Sequence, residues 1–155
     1  MTLLKLLVLA HVLSAVIGVG PAYFTSVLLR PGQSVSRLRA ASGFATQLEV
    51  FPKVGGTLGV LSGLLLVWLG QYGRFTQLWL LGSLLLYVAI QAVIVGVAVP
   101  RTRRLEHGLT ALGASPAGDV LPAPQARLLT QVYQAHLLAT ALGTVLFILM
   151  ILRPA

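Results

Sequence analysis

Cysteine is absent from the 155-residue chain. That excludes disulfides, thiolate zinc sites, iron–sulfur ligation, thiol redox chemistry and covalent haem attachment through C-x-x-C-H. Met1 and Met150 are the only thioethers, too few for a Met-rich copper(I) site. Charge is scarce as well. Charged residues make up 9% of the chain, against about 25% in an ordinary soluble domain. Such a surface must face something other than water. The acids are only Glu49, Glu106 and Asp119. None lies within a long apolar run, so a proton relay through membrane carboxylates is not expected. Also missing are a Walker loop, an H-E-x-x-H metal motif and a dinucleotide fingerprint. The serine of Gly59-Val60-Leu61-Ser62-Gly63 is one place out of register for a nucleophile elbow.

Hydrophobic residues are abundant, at 57%. Four stretches are free of Asp, Glu, Lys and Arg: between Lys5 and Arg30, Lys53 and Arg74, Arg74 and Arg101, and Arg127 and Arg153. Each reaches the roughly 20 residues that a helix rising about 1.5 Å per residue needs to cross a hydrocarbon core of about 30 Å. Backbone groups in lipid must be bonded internally, which runs of this kind achieve as helices. Runs such as Leu84-Leu85-Leu86 do not alternate, so a β-barrel is not expected. The predicted fold is an all-α, polytopic four-transmembrane-helix bundle. A single transmembrane domain is expected over 1–155, with helices at about 3–29, 54–72, 75–100 and 128–152. The first stretch is too long for a signal-peptide core and has no convincing cleavage site, so it is expected to be retained.

The joints agree with this reading. Gly70-Gln71-Tyr72-Gly73-Arg74 reads as a tight turn, with Trp68, Tyr72, Phe75 and Trp79 as interfacial aromatics. Arg30-Pro31-Gly32 ends the first helix, and Pro100 stops or kinks the third. Loops 30–53 and 101–127 lie on one side and hold eight bases: Arg30, Arg37, Arg39, Lys53, Arg101, Arg103, Arg104 and Arg127. Lys5, Arg74 and Arg153 are left for the other side. The positive-inside rule makes the two loops cytoplasmic and places both termini outside. Residues 101–112 read as helix, continuing the third span or lying on the bilayer, and 113–125 reads as a flexible connector. The bases are sparse and lack interleaved aromatics, so the expected partners are the bilayer and its anionic headgroups rather than nucleic acid.

Three helices carry small residues at spacing four: Ala10, Ser14 and Gly18; Gly55, Gly59 and Gly63; Ala135, Ala139 and Gly143. Such faces let helices approach closely in lipid. They serve either packing within the bundle, with Gly59 at the centre of a close contact, or a homo-oligomer. Glu49 precedes Lys53 by four, an order that favours a helical ion pair at the start of the second span. His11 and His136 each lie about 12 Å into a span. Tyr87 and Gln91 share a face of the third, and Thr140 follows His136 by one turn. Polar groups at such depth face the bundle interior, as interhelical hydrogen-bond partners or as functional residues. His107, in the basic loop, reads as a solvated histidine.

The opening Leu3-Leu4-Lys5-Leu6-Leu7-Val8-Leu9-Ala10-His11-Val12-Leu13, with Gly18-Val19-Gly20, resembles the start of a group of small bacterial four-helix membrane proteins. These are catalogued as predicted integral membrane proteins of unknown function. Phe51-Pro52 through Gly63, Leu78-Trp79-Leu80, the stretch 101–105 and the ending Leu152-Arg153-Pro154 resemble the same group. The likeness covers all four spans and places the chain in a bacterial inner membrane. A more distant resemblance is to copper-resistance D proteins and HemJ-type protoporphyrinogen oxidases, which have a histidine in an early helix and a basic–proline ending. In the HemJ type a lysine stands three residues before that histidine. Here Val8 holds the place, and the nearby base is Lys5.

That resemblance implies haem b as a noncovalent cofactor and carries the haem-ligand role over to His11. His136, Tyr87 or Gln91 then become candidates for a second ligand, with a site between the helices. No other cofactor and no separate metal site is expected, and no catalytic residue stands out. The leading functional expectation is a haem-binding redox or accessory protein. The alternatives are a non-enzymatic packing or accessory subunit, for which the small-residue faces suffice, and a small-solute transporter.

Overall fold

The computed structural model describes residues 2–70, 77–113 and 120–153. The expected turn at 70–74, with Tyr72 and Phe75, therefore lies largely outside the described residues, as do residues 114–119 of the expected 113–125 connector, whose last three residues are helical. Six α-helices are described: α1 (Thr2–Leu28), α2 (Val35–Leu48), α3 (Val50–Gly70), α4 (Leu78–Val93), α5 (Val99–Ala111) and α6 (Ala123–Leu152). A π-helical turn, Ile94–Ala98, joins α4 to α5. They make four apolar segments long enough to cross a membrane: Leu3–Leu28, Val35–Gly70, Leu78–Ala111 and Ala123–Leu152. The protein is an all-α polytopic bundle. α1 packs most extensively along α3, and α4 along α6, while α6 also touches α1 and α5.

The 30–53 segment departs from expectation. It is not a loop but mostly helix, and α2 runs almost directly into α3. Gly32, at φ +85°, turns the chain after α1. Gln33 Nε2 donates to Leu28 O at 2.6 Å and Arg30 O at 2.8 Å, satisfying carbonyls that the end of α1 leaves open. Ser34 then caps α2, its hydroxyl accepting from Arg37 N at 3.4 Å. Leu38, Ala41, Ser42 and Ala45 make a buried stripe at helical spacing. Pro52 falls in the first turn of α3, where a missing N–H breaks no helical bond.

The third span does not stop at Pro100. A proline inside a helix lacks an N–H, and its ring crowds the carbonyl four residues back. The chain widens to meet this: Val99 N donates to Ile94 O, five residues back. Arg101 Nη1 donates to Val97 O at 3.0 Å. The helix then continues to Ala111, so of the two expected positions for 101–112 the continuation is the observed one. α6 likewise begins at Ala123 rather than near 128.

These extensions have a common purpose. The third segment has 34 residues, or roughly 50 Å of helix against a core of about 30 Å. The surplus of α2, α5 and α6 gathers on the loop side into a helical cap. Leu29, Leu38, Leu105, Leu129 and Val132, the largest fully buried side chains, all lie there. Together with Ala41, Ala45 and Leu109 they make one apolar core. Burial of each large side chain stabilises by about 1.5–3 kcal/mol where the alternative is water. The spans have no such drive, since lipid is as apolar as leucine. Their outer faces stay apolar and exposed, as at Leu6, Val16, Leu58, Leu85 and Ile148.

Cross-links from α2 to α5 fix the cap. Arg39 Nη2 donates to Leu109 O at 2.9 Å and to Gly113 O, taking up carbonyls at the end of α5. Thr46 Oγ1 donates to Glu106 Oε1 at 3.1 Å. Lys53 and Glu49 form the expected ion pair at 2.9 Å. Both side chains are well exposed, so the pair adds a few tenths of a kcal/mol at most.

Candidate functional site

The seam between α1 and α3 is built by glycine. A Cβ placed on Gly55 would lie 2.6 Å from Gly18 N and 2.8 Å from both Gly18 Cα and Ser14 O. A Cβ on Gly18 would meet Gly56 N at 2.8 Å. Here two backbones touch where no side chain fits, the close approach that drives association in lipid. Gly59, expected at the centre of a tight contact, is roomier: its Cβ would find only Ser14 Cβ, at 3.9 Å. The crossing point sits one turn earlier, at Gly55.

His11 closes the same seam one to two turns further along. Its Nδ1 lies 2.9 Å from Gly59 O and 3.1 Å from Ser62 Oγ. A carbonyl can only accept, so Nδ1 carries the proton. Ser62 Oγ donates to Leu58 O at 2.6 Å and is free to accept from His11. The Nε2 atom keeps its lone pair. The ring lies on Gly63, where an added Cβ would be 3.0 Å from His11 Cε1. His11 is thus half-buried, flat on α3 and bonded to its backbone. Replacing it with Ala should remove that bond and open a gap at Gly63. The expected cost is about 1–2 kcal/mol, read as a lower melting temperature of the detergent-solubilised protein. His136→Ala should cost less, because its bond lies within one helix: His136 Nδ1 donates to Val132 O at 2.9 Å.

The structure does not bring the two histidines together. α1 and α6 are antiparallel: Gly143 meets Val19, while Leu29, just past the end of α1, shares the cap core with Leu129 and Val132 near the start of α6. His11 lies two turns before Val19, and His136 two turns before Gly143, so they diverge from this crossing in opposite directions. Their separation along the bundle is roughly 20 Å. One iron cannot bridge it, and His136 is no partner to His11.

Tyr87 is nearer. Its hydroxyl lies against Gly56, 3.5 Å from where a Cβ would stand, about two turns below His11 on the seam. Gln91 lies one turn further towards the cap, at the level of Thr140, since Gly82 meets Leu149 and Arg101 meets Gln131 along the same pair of helices. Thr140 Oγ1 is buried without a hydrogen-bond partner. His136 lies at the level of the π-helical turn, by the same register of α6 against the third span. The expected site residues therefore fall into two groups, His11 high on the seam and His136 with Gln91 near the cap, with Tyr87 between.

Two grooves in the surface of the described residues adjoin neither histidine. One, of about 430 Å³, is walled by Phe24, Val27, Phe44 and Phe51 between α1, α2 and α3. The other, of about 470 Å³, runs beside Arg127, Thr130 and Gln131 on α6. Ser62, which completes the His11 contact, enters the sequence reading only as a serine out of register for a nucleophile elbow, not as a partner of His11. Its spacing of three from Gly59 placed it on the same face, and that was the available signal.

Four apolar spans of this length and order match one family over almost the whole chain: the family described as predicted integral membrane protein (DUF2269), over residues 5–154. The chain belongs to the DUF2269 family. No curated protein and no solved structure matches it. Membership settles an integral membrane protein and extends through all four spans and the cap. The small-residue faces of this DUF2269 chain are occupied within its own bundle: Gly18 and Gly55 on each other, Gly63 under His11, Gly143 against Val19. An oligomer built through those glycine faces would have to break the intrachain seam.

Proposed function

We propose that the chain is a non-enzymatic accessory subunit of a bacterial plasma membrane, a packing element whose cap stands in the cytoplasm. The observation that carries this reading is the use of His11. Its proton bonds α3, its ring fills the space over Gly63, and it thereby holds two spans together. The test is the visible spectrum of protein purified from haem-replete cells. No Soret band is expected, and a stoichiometric one would overturn the reading.

The second reading is a haem b protein ligated through His11. One observation favours it: the Nδ1 bond to Gly59 O leaves the Nε2 lone pair, the arrangement that second-shell carbonyls impose on ligating imidazoles. Under this reading haem content falls in His11→Ala and is unchanged in His136→Ala, at equal protein levels.

The orientation rests on the loop side holding eight of the eleven bases. Both termini then lie outside the cytoplasm, and the cap faces the leaflet where anionic headgroups collect. An alkaline-phosphatase reporter fused after Ala155 should be active. Activity only when the reporter is inserted at residue 115 would reverse the topology.

A further inference from the structure

We propose that the groove beside Arg127 on α6, together with Arg101 at the start of α5, is a binding site for the phosphate of an anionic phospholipid. The inference rests on the orientation and headgroup reading above and narrows it to one place.

Arg101 is held in position. Its Nε donates to Gln131 Oε1 at 2.9 Å and its Nη1 to Val97 O at 3.0 Å. The second bond exists because the π-helical turn carries the helix past Pro100, so the widened turn sets the guanidinium. The Gln131 carbonyl is spent on Arg101, which leaves its amide N–H groups to donate outward. Arg127 stands one turn before Gln131 on the same face of α6 and is exposed. Ala123, Ala126 and Thr130, whose hydroxyl donates to Ala126 O, wall the rest of the groove and leave about 470 Å³. The groove therefore presents donors from Arg127 and Gln131, and Arg101, bonded to Gln131, stands beside it. Among the described residues the one ion pair is Lys53–Glu49, which involves neither arginine.

Depth decides the occupant. Arg101 ends the charge-free stretch of the third span, and Arg127 begins that of the fourth. Both therefore lie where hydrocarbon gives way to headgroups, on the same side of the bilayer. A lipid phosphate sits at this level with its acyl chains beside the apolar faces of α4 and α6. A guanidinium fork matches phosphate oxygens in pairs, and an anionic lipid adds net charge that a zwitterionic one lacks.

The test titrates the full chain in detergent with phosphatidylglycerol, phosphatidylcholine or inorganic phosphate, following the melting temperature. Phosphatidylglycerol is expected to stabilise the parent, with little effect of the other two. Arg127→Gln should raise the phosphatidylglycerol midpoint about fivefold, the weight of one interfacial base. Arg37→Gln removes the same charge from α2 and should leave the midpoint in place. Arg101→Gln, checked for an unchanged melting temperature without lipid, should repeat the Arg127 result. If Arg127→Gln and Arg37→Gln weaken binding equally, the cap attracts anionic lipid diffusely and this site is wrong. If the parent shows no preference for phosphatidylglycerol, the headgroup reading falls with it. Equal stabilisation by inorganic phosphate would make the groove a free-anion site and overturn the lipid assignment.

Discussion

Gly55→Leu is expected to separate α1 from α3, with the protein recovered from the membrane as aggregate rather than as a folded monomer. Even a methyl group has no place there, since its carbon would stand 2.6 Å from Gly18 N. The obstruction is backbone, which cannot rotate aside as a side chain can. Gly55→Ala should therefore cost about 1–3 kcal/mol, the usual range for overpacking a close contact. The informative control is Gly59→Ala. Its methyl would meet only Ser14 Cβ at 3.9 Å, an ordinary contact. Alanine also favours helix over glycine by about 1 kcal/mol in soluble hosts, so this variant should be neutral or slightly stabilised. Thermal unfolding of both variants in one detergent makes the comparison. Equal losses at the two positions would mean that the seam crosses at Gly59 after all.

Leu105→Ala should be the most damaging truncation in the cap. Leu105 is 1% exposed and packs at the centre of a core shared by four helices. Removing its branch leaves a cavity that Leu38, Leu129 and Val132 cannot all move to fill. A loss of about 2–5 kcal/mol is expected. The same change at Leu85, 60% exposed on the outer face of α4, should cost little, because in membranes lipid chains can occupy the space left. Hydrogen exchange would localise the Leu105 effect. Amides of α2 and α5 should lose protection while those of α1 and α3 within the bilayer keep it. Uniform loss over all helices would show that cap and spans unfold as one unit.

The spans were legible because lipid imposes a rule on composition: twenty or so residues without charge read out directly. The cap was not, because its helices are short, rich in Ala, Ser and Arg, and interrupted by charges. α2 has a buried stripe, Leu38, Ala41, Ser42 and Ala45, whose apolar members are mostly small. Arg37 and Arg39 beside them made the segment read as loop. Arg39 in fact bonds carbonyls at the end of α5, a tertiary role that spacing does not reveal. At Pro100 local chemistry announced a break, and a wider helical turn absorbed it. The small-residue faces were visible at spacing four, yet which member is tightest depended on the crossing point of two helices. Likewise, similar depths for His11 and His136 did not make them neighbours. The register of α1 against α6 decides that, and it follows from pairs such as Val19 with Gly143.

The glycine face of α3 receives α1 of the same chain. The absence of native cysteine allows a direct measurement: Ser14→Cys together with Gly59→Cys, oxidised mildly in native membranes. The Cβ positions are 3.9 Å apart, within the roughly 3.5–4.5 Å that a disulfide requires. Rapid, nearly complete cross-linking within one chain is expected, seen as a monomer of altered mobility on a non-reducing gel. His11→Cys with His136→Cys should give none. Failure of the first pair to cross-link would mean that α1 and α3 do not meet at this seam, and covalent dimers as the main product would make the glycine face an interface between copies.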